Sequence, residues 1–343
     1  LSGQKERQAR WKRCMNIPNG VMGEAVGQLY VEKYFAGDSK DKMVKLIGDL
    51  RKGLAERIAG LDWMSDQTKV NALVKLNSFT VKVGYPDKWK DYSKLTVDPS
   101  KTLYDNMKAA SLWATKRNLE KYGKAVDREE WEMTPQTVNA YYNPLNNEIV
   151  FPAAILQAPF FDPKADDATN YGAIGVVIGH EMTHGFDDQG RTFDYQGNMV
   201  DWWTEEDAEK FNAAAEKLAA QFDAIDLGNG EHANGHLTLG ENIADQGGLR
   251  IAYDAFMKTQ QAQEGKMIDG FTPEQRFYLS YGRIWAENIT PEAAYMQTKS
   301  DPHSLGEYRV NATLRNIDTF FKAFDIKPGA KMWMDEKDRT IIW

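Results

Sequence analysis

The chain has 343 residues, 42% hydrophobic and 27% charged, with a formal net charge of −8. This composition is typical of a globular protein long enough for two domains. Charges of both signs are mixed and form no basic block, which argues against a nucleic-acid partner. No stretch approaches the roughly 20 apolar residues of a membrane span, so we expect no membrane segment in this chain. The single cysteine, Cys14, excludes an internal disulfide.

The first third of the sequence predicts a helical block without a catalytic group. Its polar start ends in Pro18-Asn19-Gly20, which predicts a turn. Apolar residues at helical spacing then predict three helices, over residues 21–36, 41–60 and 66–76. Ser65 or Asp66 is the expected cap of the third helix. Residues 81–86 close the block, and we interpret residues 1–97 as a packing and lid layer.

The middle of the chain predicts a β-hairpin. Residues 138–142 and 148–151 have strand character, and the turn residues 143–147 separate them. An edge strand of this kind can hold an extended peptide by main-chain hydrogen bonds, although an ordinary structural hairpin fits the pattern equally well. Further helices are predicted over residues 98–124, 204–225, 241–257 and 272–288, with Thr204 and Thr272 as N-caps.

Inside a strongly apolar run, residues 180–184 read His-Glu-Met-Thr-His. In a helix, residues four apart lie on one face, so His180 and His184 can present two imidazoles to one ion. Two histidines one turn apart suit zinc, which binds neutral imidazole nitrogen. Glu181 lies about 100° further round the helix, where it can serve as general base without ligating the metal. The alternative interpretation is a pair of hydrogen-bonded core histidines.

Hydrolytic zinc sites use three protein ligands and keep one position open. Glu241 is the natural third ligand. Asp245, four residues later on the same helical face, can accept the other ring N–H of a ligating histidine. A solvated acidic helix face is the alternative for this pair. His232 and His236 also lie four apart, but the surrounding glycines and asparagines predict a loop, so we assign them no metal.

The sequence resembles the neprilysin and endothelin-converting-enzyme family of zinc metallopeptidases, and it is most similar to the C-terminal catalytic part of the bacterial oligopeptidase O-like members. The matching blocks occur in family order and are residues 139–142, 150–157, 177–188, 200–204 and 240–245, with the C-terminal Trp343. The resemblance extends over essentially the whole chain. It implies one zinc ion as cofactor, bound by His180, His184 and Glu241, with Glu181 and Asp245 in the roles given above.

The resemblance also implies how a peptide is held. His303 matches the histidine that stabilises the oxyanion, and Arg309 matches the arginine that hydrogen-bonds a substrate carbonyl. Asn139 and Ala140 match the residues that bind the peptide main chain. Six apolar residues match the pocket for the residue after the scissile bond, which would then be large and apolar: Ile155, Phe160, Val176, Val177, Ile284 and Trp285. Plain core packing is the alternative for each of these six.

The expected fold is mainly α with small β elements (α+β). It would comprise part of a helical lid domain in residues 1–104 and a thermolysin-like, gluzincin catalytic domain in residues 105–343. Against the resembled family the chain begins midway, so we expect the N-terminal half of the same protein to be a partner beside peptide substrates. The single cysteine departs from the disulfide-rich mammalian members, which indicates a bacterial protein, and we expect an extracytoplasmic location.

These features predict a zinc-dependent endopeptidase, and the resemblance implies that its substrates are small to medium peptides. Two other classes of protein remain compatible with the sequence. A catalytically silent fragment that binds peptides would keep the same residues, and a structural zinc module would need a fourth ligand, which is not evident near the motif.

Overall fold

The computed structural model describes residues 2–35, 39–228 and 230–343. Fourteen α-helices lie in these ranges: α1 Arg10–Val21, α2 Gly23–Tyr34, α3 Ser39–Gly60, α4 Asp66–Asn77, α5 Leu103–Leu119, α6 Asp167–Asn170, α7 Val176–His184, α8 Glu205–Asp223, α9 Leu239–Phe256, α10 Gln260–Glu264, α11 Pro273–Ile284, α12 Pro291–Ser300, α13 Gly306–Leu314 and α14 Asp318–Ala323. Three strands accompany them: β1 Thr80–Gly84, β2 Tyr141–Asn143 and β3 Glu148–Pro152. A π-helical turn, Tyr171–Gly175, precedes α7. The predicted class, mainly α with small β elements, is confirmed.

Local capping chemistry explains where several helices begin. The side chain of Ser65 accepts a hydrogen bond from the Thr68 N–H and so caps α4. Thr204 caps α8 in the same way, and Thr272 forms a capping box with Gln275 at the start of α11. These caps confirm the prediction. The helix predicted over residues 98–124 is shorter as α5, because Thr102 caps it one residue before Leu103.

The turn predicted at Pro18-Asn19-Gly20 is wrong, because α1 continues through all three residues to Val21. Proline fixes φ near the helical value, and its cost inside a helix, a lost hydrogen-bond donor and a clash with the carbonyl four residues back, does not end α1 at this position. The N–H of Met22 bonds to the Pro18 carbonyl at 2.7 Å, which closes the last turn of the helix. Helix α2 then begins at Gly23, and Ala36, the last residue of the predicted 21–36 helix, lies outside the described residues.

The three strands form one sheet in the order β1-β3-β2, with β1 parallel and β2 antiparallel to β3. The hairpin prediction is confirmed, but its first strand begins at Tyr141 rather than at residue 138. In the β2–β3 register Asn139 would face Pro152, which has no N–H to continue the ladder. Residues 81–86 were predicted only to close a helical block, whereas β1 extends the sheet.

A single hydrophobic core joins the first third of the chain to the rest. It contains Leu50 and Leu54 of α3, Ile178 of α7 and Ile251 of α9. The C-terminal Trp343 is fully buried, and its ring contacts aromatic side chains from four other segments: Trp63, Phe186, Trp203 and Phe211. Helices α3, α7 and α9 therefore share one packing unit, and the domain boundary near residue 104 stays a prediction.

Candidate metal centre and peptide cleft

Helix α7 is almost entirely buried, and it carries both predicted histidines on one face. Its apolar first turn, including Val177 and Ile178, anchors it in the core. One helical turn separates His180 from His184, and their Nε2 atoms are 2.9 Å apart. The two rings stand nearly perpendicular, at 87°. The predicted pair of converging imidazoles is thus present on the helix.

Two glycines let α9 approach α7 closely enough to complete this arrangement. A Cβ atom on Gly179 would lie 2.8 Å from the Gly248 Cα, and one on Gly248 would lie 2.5 Å from the His180 backbone nitrogen. Any larger residue at either position would push the helices apart. This contact sets the depth at which α9 presents its first-turn carboxylate to the histidines.

That carboxylate is Glu241. Its Oε2 lies 3.1 Å from His180 Nε2, and its Oε1 lies 3.6 Å from His184 Nε2. Ligand atoms of the three residues all lie within 4.8 Å of one another, and in the described ranges this is the only group of three or more His, Cys, Asp or Glu residues with such spacing. The structure therefore brings together the three residues predicted as metal ligands.

The hydrogen bonds around this cluster fit a bound cation. Each imidazole directs Nδ1 at a carboxylate: His180 at Asp245 Oδ1 (2.9 Å) and His184 at Asp187 Oδ2 (2.6 Å). When Nδ1–H donates, the Nε2 lone pair is left to face the centre. Glu241 Oε2 is buried and makes no well-aligned hydrogen bond in the described part of the chain, although His180 Nε2 lies 3.1 Å away. Two imidazole nitrogens and one carboxylate form a donor set that suits zinc with an open coordination position.

Asp245 takes the predicted orienting position and is itself held by Arg309. The guanidinium donates from Nε to Asp245 Oδ2 at 2.8 Å and from Nη2 to Oδ1 at 2.6 Å. A bidentate pair of this kind is short and directional. Burial alone raises the pKa of Asp245, but the Arg309 charge and the His180 contact outweigh it and lower that pKa.

Asp187 orients the second histidine, and the sequence analysis missed it. Its Oδ2 accepts from His184 Nδ1, while its Oδ1 accepts from the backbone N–H groups of Gln189 (2.9 Å) and Gly190 (2.6 Å). Each histidine therefore has its own buried carboxylate, one from α9 and one from the turn after α7. The spacing of three residues from His184 was the available sequence signal.

The charged groups in the cluster strongly shift the pKa values of their neighbours. Burial lowers the pKa of His184, but its contacts with Asp187 and Glu241 raise that pKa well above the ordinary value. Burial raises the pKa of Glu241, but the two histidines hold it well below its ordinary range. Glu241 is therefore held as a carboxylate, the form that binds a metal.

Glu181 lines the same cleft without belonging to the ligand group. It is buried, and burial raises the pKa of its carboxyl, although the charges of His180 and His184 act in the opposite direction. A raised pKa strengthens a carboxylate as a proton acceptor near neutral pH. Its position beside the ligands is the one that the helical spacing predicts.

His303 and Arg309 reach the cluster from the segment between α12 and α13 and from α13 itself. His303 Nε2 lies 3.3 Å from Glu241 Oε2, and its Nδ1 lies 2.7 Å from Asp301 Oδ1. Arg309 Nη2 lies 4.0 Å from Glu241 Oε2, and its guanidinium stacks 3.7 Å from the Trp285 ring centroid. Both residues approach the Glu241 carboxylate, although each is more than 60 positions from it in the sequence.

The cluster opens into a cleft of about 440 Å³. Six of the predicted substrate-binding residues line it together with Arg309: Asn139, Ala140, Ile155, Phe160, Val177 and Trp285. Val176 and Ile284 are buried and are not among the lining residues, so the structure places them behind the cleft wall. Tyr142 and Phe193 also line the cleft and were not predicted.

His232 and His236 lie away from this cluster. The His236 ring contacts Asp223 and Glu216 at the surface, and His232 Nδ1 lies 3.1 Å from the Asp223 carbonyl oxygen. Neither belongs to the metal-ligand group. Asn229, at the start of the predicted loop, lies outside the described residues.

In the described ranges, no helix has the length and apolar character needed to cross a membrane.

Comparison with known proteins places the chain in a family. Models described as Peptidase family M13 match residues 139–340 and residues 1–86. The chain is 38% identical to human Neprilysin, over 100% of this chain and 47% of that protein. It is also 38% identical to the Neutral endopeptidase of Lactobacillus helveticus, over 100% of this chain and 51% of that protein.

A crystal structure of a Mycobacterium tuberculosis zinc metalloprotease in complex with an inhibitor superposes with a TM-score of 0.95 at 46% identity, covering 100% of this chain and 52% of that one. The chain thus spans about half the length of the relatives it matches. The family models together account for most of its residues, and the fold agrees over its full length. The chain belongs to peptidase family M13.

Proposed function

We propose that this chain carries the active site of a zinc-dependent endopeptidase that hydrolyses small to medium peptides. The main support for this proposal is that His180, His184 and Glu241 converge in a cleft that also contains Glu181. Membership of peptidase family M13 supports the same reaction. A structural zinc module is disfavoured, because the described residues offer three ligands rather than a closed set of four.

His180, His184 and Glu241 would hold one zinc ion. When bound, zinc supplies Lewis acidity that makes a water molecule more acidic and polarises a carbonyl group. The Glu181 carboxylate accepts a proton from the attacking water and returns it to the nitrogen of the leaving amine. Asp245 and Asp187 keep the two imidazoles in the tautomer that directs Nε2 inward.

His303 and Arg309 handle the charge and position of the peptide. Asp301 accepts a hydrogen bond from His303 Nδ1, which leaves Nε2 to donate to the developing oxyanion when the ring is protonated. Arg309 hydrogen-bonds a substrate carbonyl while Asp245 and the Trp285 face hold its guanidinium plane. Asn139 and Ala140, just before β2, bind the extended main chain.

The apolar wall of the cleft sets the preference for a large apolar residue after the scissile bond. Ile155, Phe160, Val177 and Trp285 would contact that side chain directly. Val176 and Ile284 are buried behind the cleft wall and fix the positions of the lining residues. A peptide with Phe or Leu at this position should be cleaved faster than the same peptide with Asp.

We propose as partner of this chain the part of its relatives that it does not cover, which the family resemblance places in their N-terminal half. Helix α1 buries none of its residues, and α5 buries only Ala110. Both helices expose large apolar side chains, among them Trp11 and Tyr104. Such faces are where a second half would pack. We also propose that the protein is extracytoplasmic in a bacterium. Fractionation of the source cells tests this location.

The first test is cleavage of a quenched fluorescent peptide with a central Phe or Leu, with and without a zinc chelator. Chelator-sensitive cleavage supports the proposal. One zinc per chain without cleavage means that the other half is needed for turnover. Tight peptide binding by the zinc-loaded chain, with no product after long incubation, favours a silent peptide-binding protein instead.

Glu181→Gln sharpens this test. The amide keeps the shape of the side chain but cannot accept the proton, so kcat should fall by about 100-fold or more. Zinc content, measured by metal analysis, should stay at the wild-type value. Loss of zinc from this variant would contradict the assignment of Glu181 as a base only.

A further inference from the structure

Lys75 of α4 is a fully buried lysine whose ammonium group has no hydrogen-bonded carboxylate partner in the described chain. It is 1% exposed, and its Nζ donates to the carbonyl oxygens of Gly190 and Phe193, each at 2.6 Å. The rings of Tyr142, Phe186 and Trp202 surround it at 5.6–5.9 Å. Burying such a group is costly, so its position needs a structural reason.

A short series of hydrogen bonds connects Lys75 to the second histidine. Lys75 Nζ donates to the Gly190 oxygen, the Gly190 N–H donates to Asp187 Oδ1 at 2.6 Å, and Asp187 Oδ2 contacts His184 Nδ1 at 2.6 Å. The turn is also pressed against the end of α7, because a Cβ on Gly190 would lie 1.8 Å from the His184 oxygen. Displacement of Gly190 would therefore move the carboxylate that orients His184.

The same residue is hydrogen-bonded to the β2–β3 hairpin, which also lines the cleft. The Lys75 carbonyl accepts a hydrogen bond from Asn147 Nδ2 at 3.1 Å, and the Tyr142 hydroxyl donates to Asn147 Oδ1 at 3.0 Å. Tyr142 lines the cleft, and Asn147 closes the β2–β3 hairpin. Lys75 thus connects the hairpin with the turn at residues 187–193, which carries Asp187.

The Lys75 side chain can donate to both carbonyl oxygens whether it is charged or neutral. Burial lowers the pKa of Lys75 to about 7, although the charges of Asp187 and Asp194 act in the opposite direction. A neutral amine still has two N–H donors, one for each carbonyl. The link to Gly190 therefore does not require the ammonium form.

We propose that Lys75 is a positioning residue for the metal site, because it holds the turn at residues 187–193 so that Asp187 fixes the ring of His184. The residue lies in the first third of the chain, where the sequence alone indicated only packing. The effect on turnover rests on the proposed peptidase function. The effect on metal affinity does not, because it follows from the orientation of one ligand.

Lys75→Met tests this proposal, since methionine fills the space but donates no hydrogen bond. We expect the affinity for zinc, measured by competition with a chromogenic chelator, to fall by about 10–100-fold, as when other groups that orient metal ligands are removed. In the active enzyme, kcat should fall more than KM rises. Lys75→Leu, which also donates no hydrogen bond, replaces it if the methionine variant does not fold.

Lys82→Met is the matched control. Lys82 is also a buried lysine, and it contacts the Glu148 carboxylate at 2.8 Å and the Glu130 carbonyl at 3.0 Å, away from the 187–193 turn. Its loss should lower the free energy of unfolding and leave zinc affinity unchanged. Equal losses of affinity in the Lys75 and Lys82 variants would overturn the proposal, as would unchanged affinity in a folded Lys75 variant. If the wild-type chain binds zinc but cleaves no peptide, the other half is needed for turnover, and the measurement of zinc affinity still decides the role of Lys75.

Discussion

Helices α7 and α5 have opposite relations to the core of the molecule. In α7 the buried residues run from Val176 to Thr183, and two histidines and a glutamate are among them or adjoin them. In α5 only Ala110 is buried, while Tyr104 is 73% and Leu119 is 67% exposed. On α7 the apolar residues are therefore buried together with ionisable groups, whereas on α5 most apolar residues lie at the surface. Helical pattern alone does not distinguish these two uses.

The burial of charge around α7 makes chemistry and stability depend on the same contacts. Glu241, Asp245 and Arg309 approach the histidines from other helices, and each charge is partnered by another. A buried ion pair of this kind adds little net stability, but removing one partner leaves an unpaired buried charge, which is strongly destabilising. Substitutions near α7 should therefore have large effects, and those on α5 should have small ones.

The largest effect is expected where α7 and α9 touch. Gly248→Ala would place a Cβ 2.5 Å from the His180 backbone nitrogen, so the helices must separate, and we expect a loss of about 3 kcal/mol or more in the free energy of unfolding. The same substitution at Gly48 of α3 meets nothing within 4 Å and should stabilise by about 0.5–1 kcal/mol. Urea denaturation measures both, and similar values would show that helix contact is not the determining factor.

An intermediate effect is expected at the junction of α4 and α8, where Asp207 accepts hydrogen bonds from Ser65 and Thr68. Burial raises the pKa of Asp207, but these hydrogen bonds outweigh it and lower the pKa to about 2. The folded pKa lies below the unfolded one, so this stabilisation is present above about pH 4 and is lost as the pH falls towards 2.

Asp207→Asn should therefore cost about 2 kcal/mol at pH 7. The difference from wild type should shrink as the pH is lowered through that window. Denaturation curves of both proteins at several pH values between 7 and 2.5 measure it. A difference that does not change with pH would mean that the carboxylate charge contributes nothing at this junction.

The smallest effect is expected on α5. Leu119→Ser removes an exposed side chain and should change the free energy of unfolding of this chain by less than about 0.5 kcal/mol. Ala110→Asp on the same helix places a charge at its one buried position and should cost more than about 1 kcal/mol. Thermal unfolding of the two variants compares them, and a large effect of Leu119→Ser would show that the outer face is covered within this chain.

Much of the metal site could be predicted because its information is local. His180 and His184 are one turn apart, as are Glu241 and Asp245, and helical geometry alone puts each pair on one face. Caps at Ser65, Thr204 and Thr272 could be predicted for the same reason. The turn predicted at Pro18 failed because a single proline is compatible with a helix when the neighbouring hydrogen bonds are made.

Spacing along a helix needs no knowledge of the rest of the chain, so the residues that could ligate a metal were recognisable from the sequence. How these residues meet depends on the tertiary structure. The pairing of β1 with β3, the contact of Gly179 with Gly248, and the link from Lys75 through Gly190 to Asp187 all join segments distant in sequence. Such contacts depend on which surfaces are buried together, and burial is a property of the folded chain rather than of any short stretch of it.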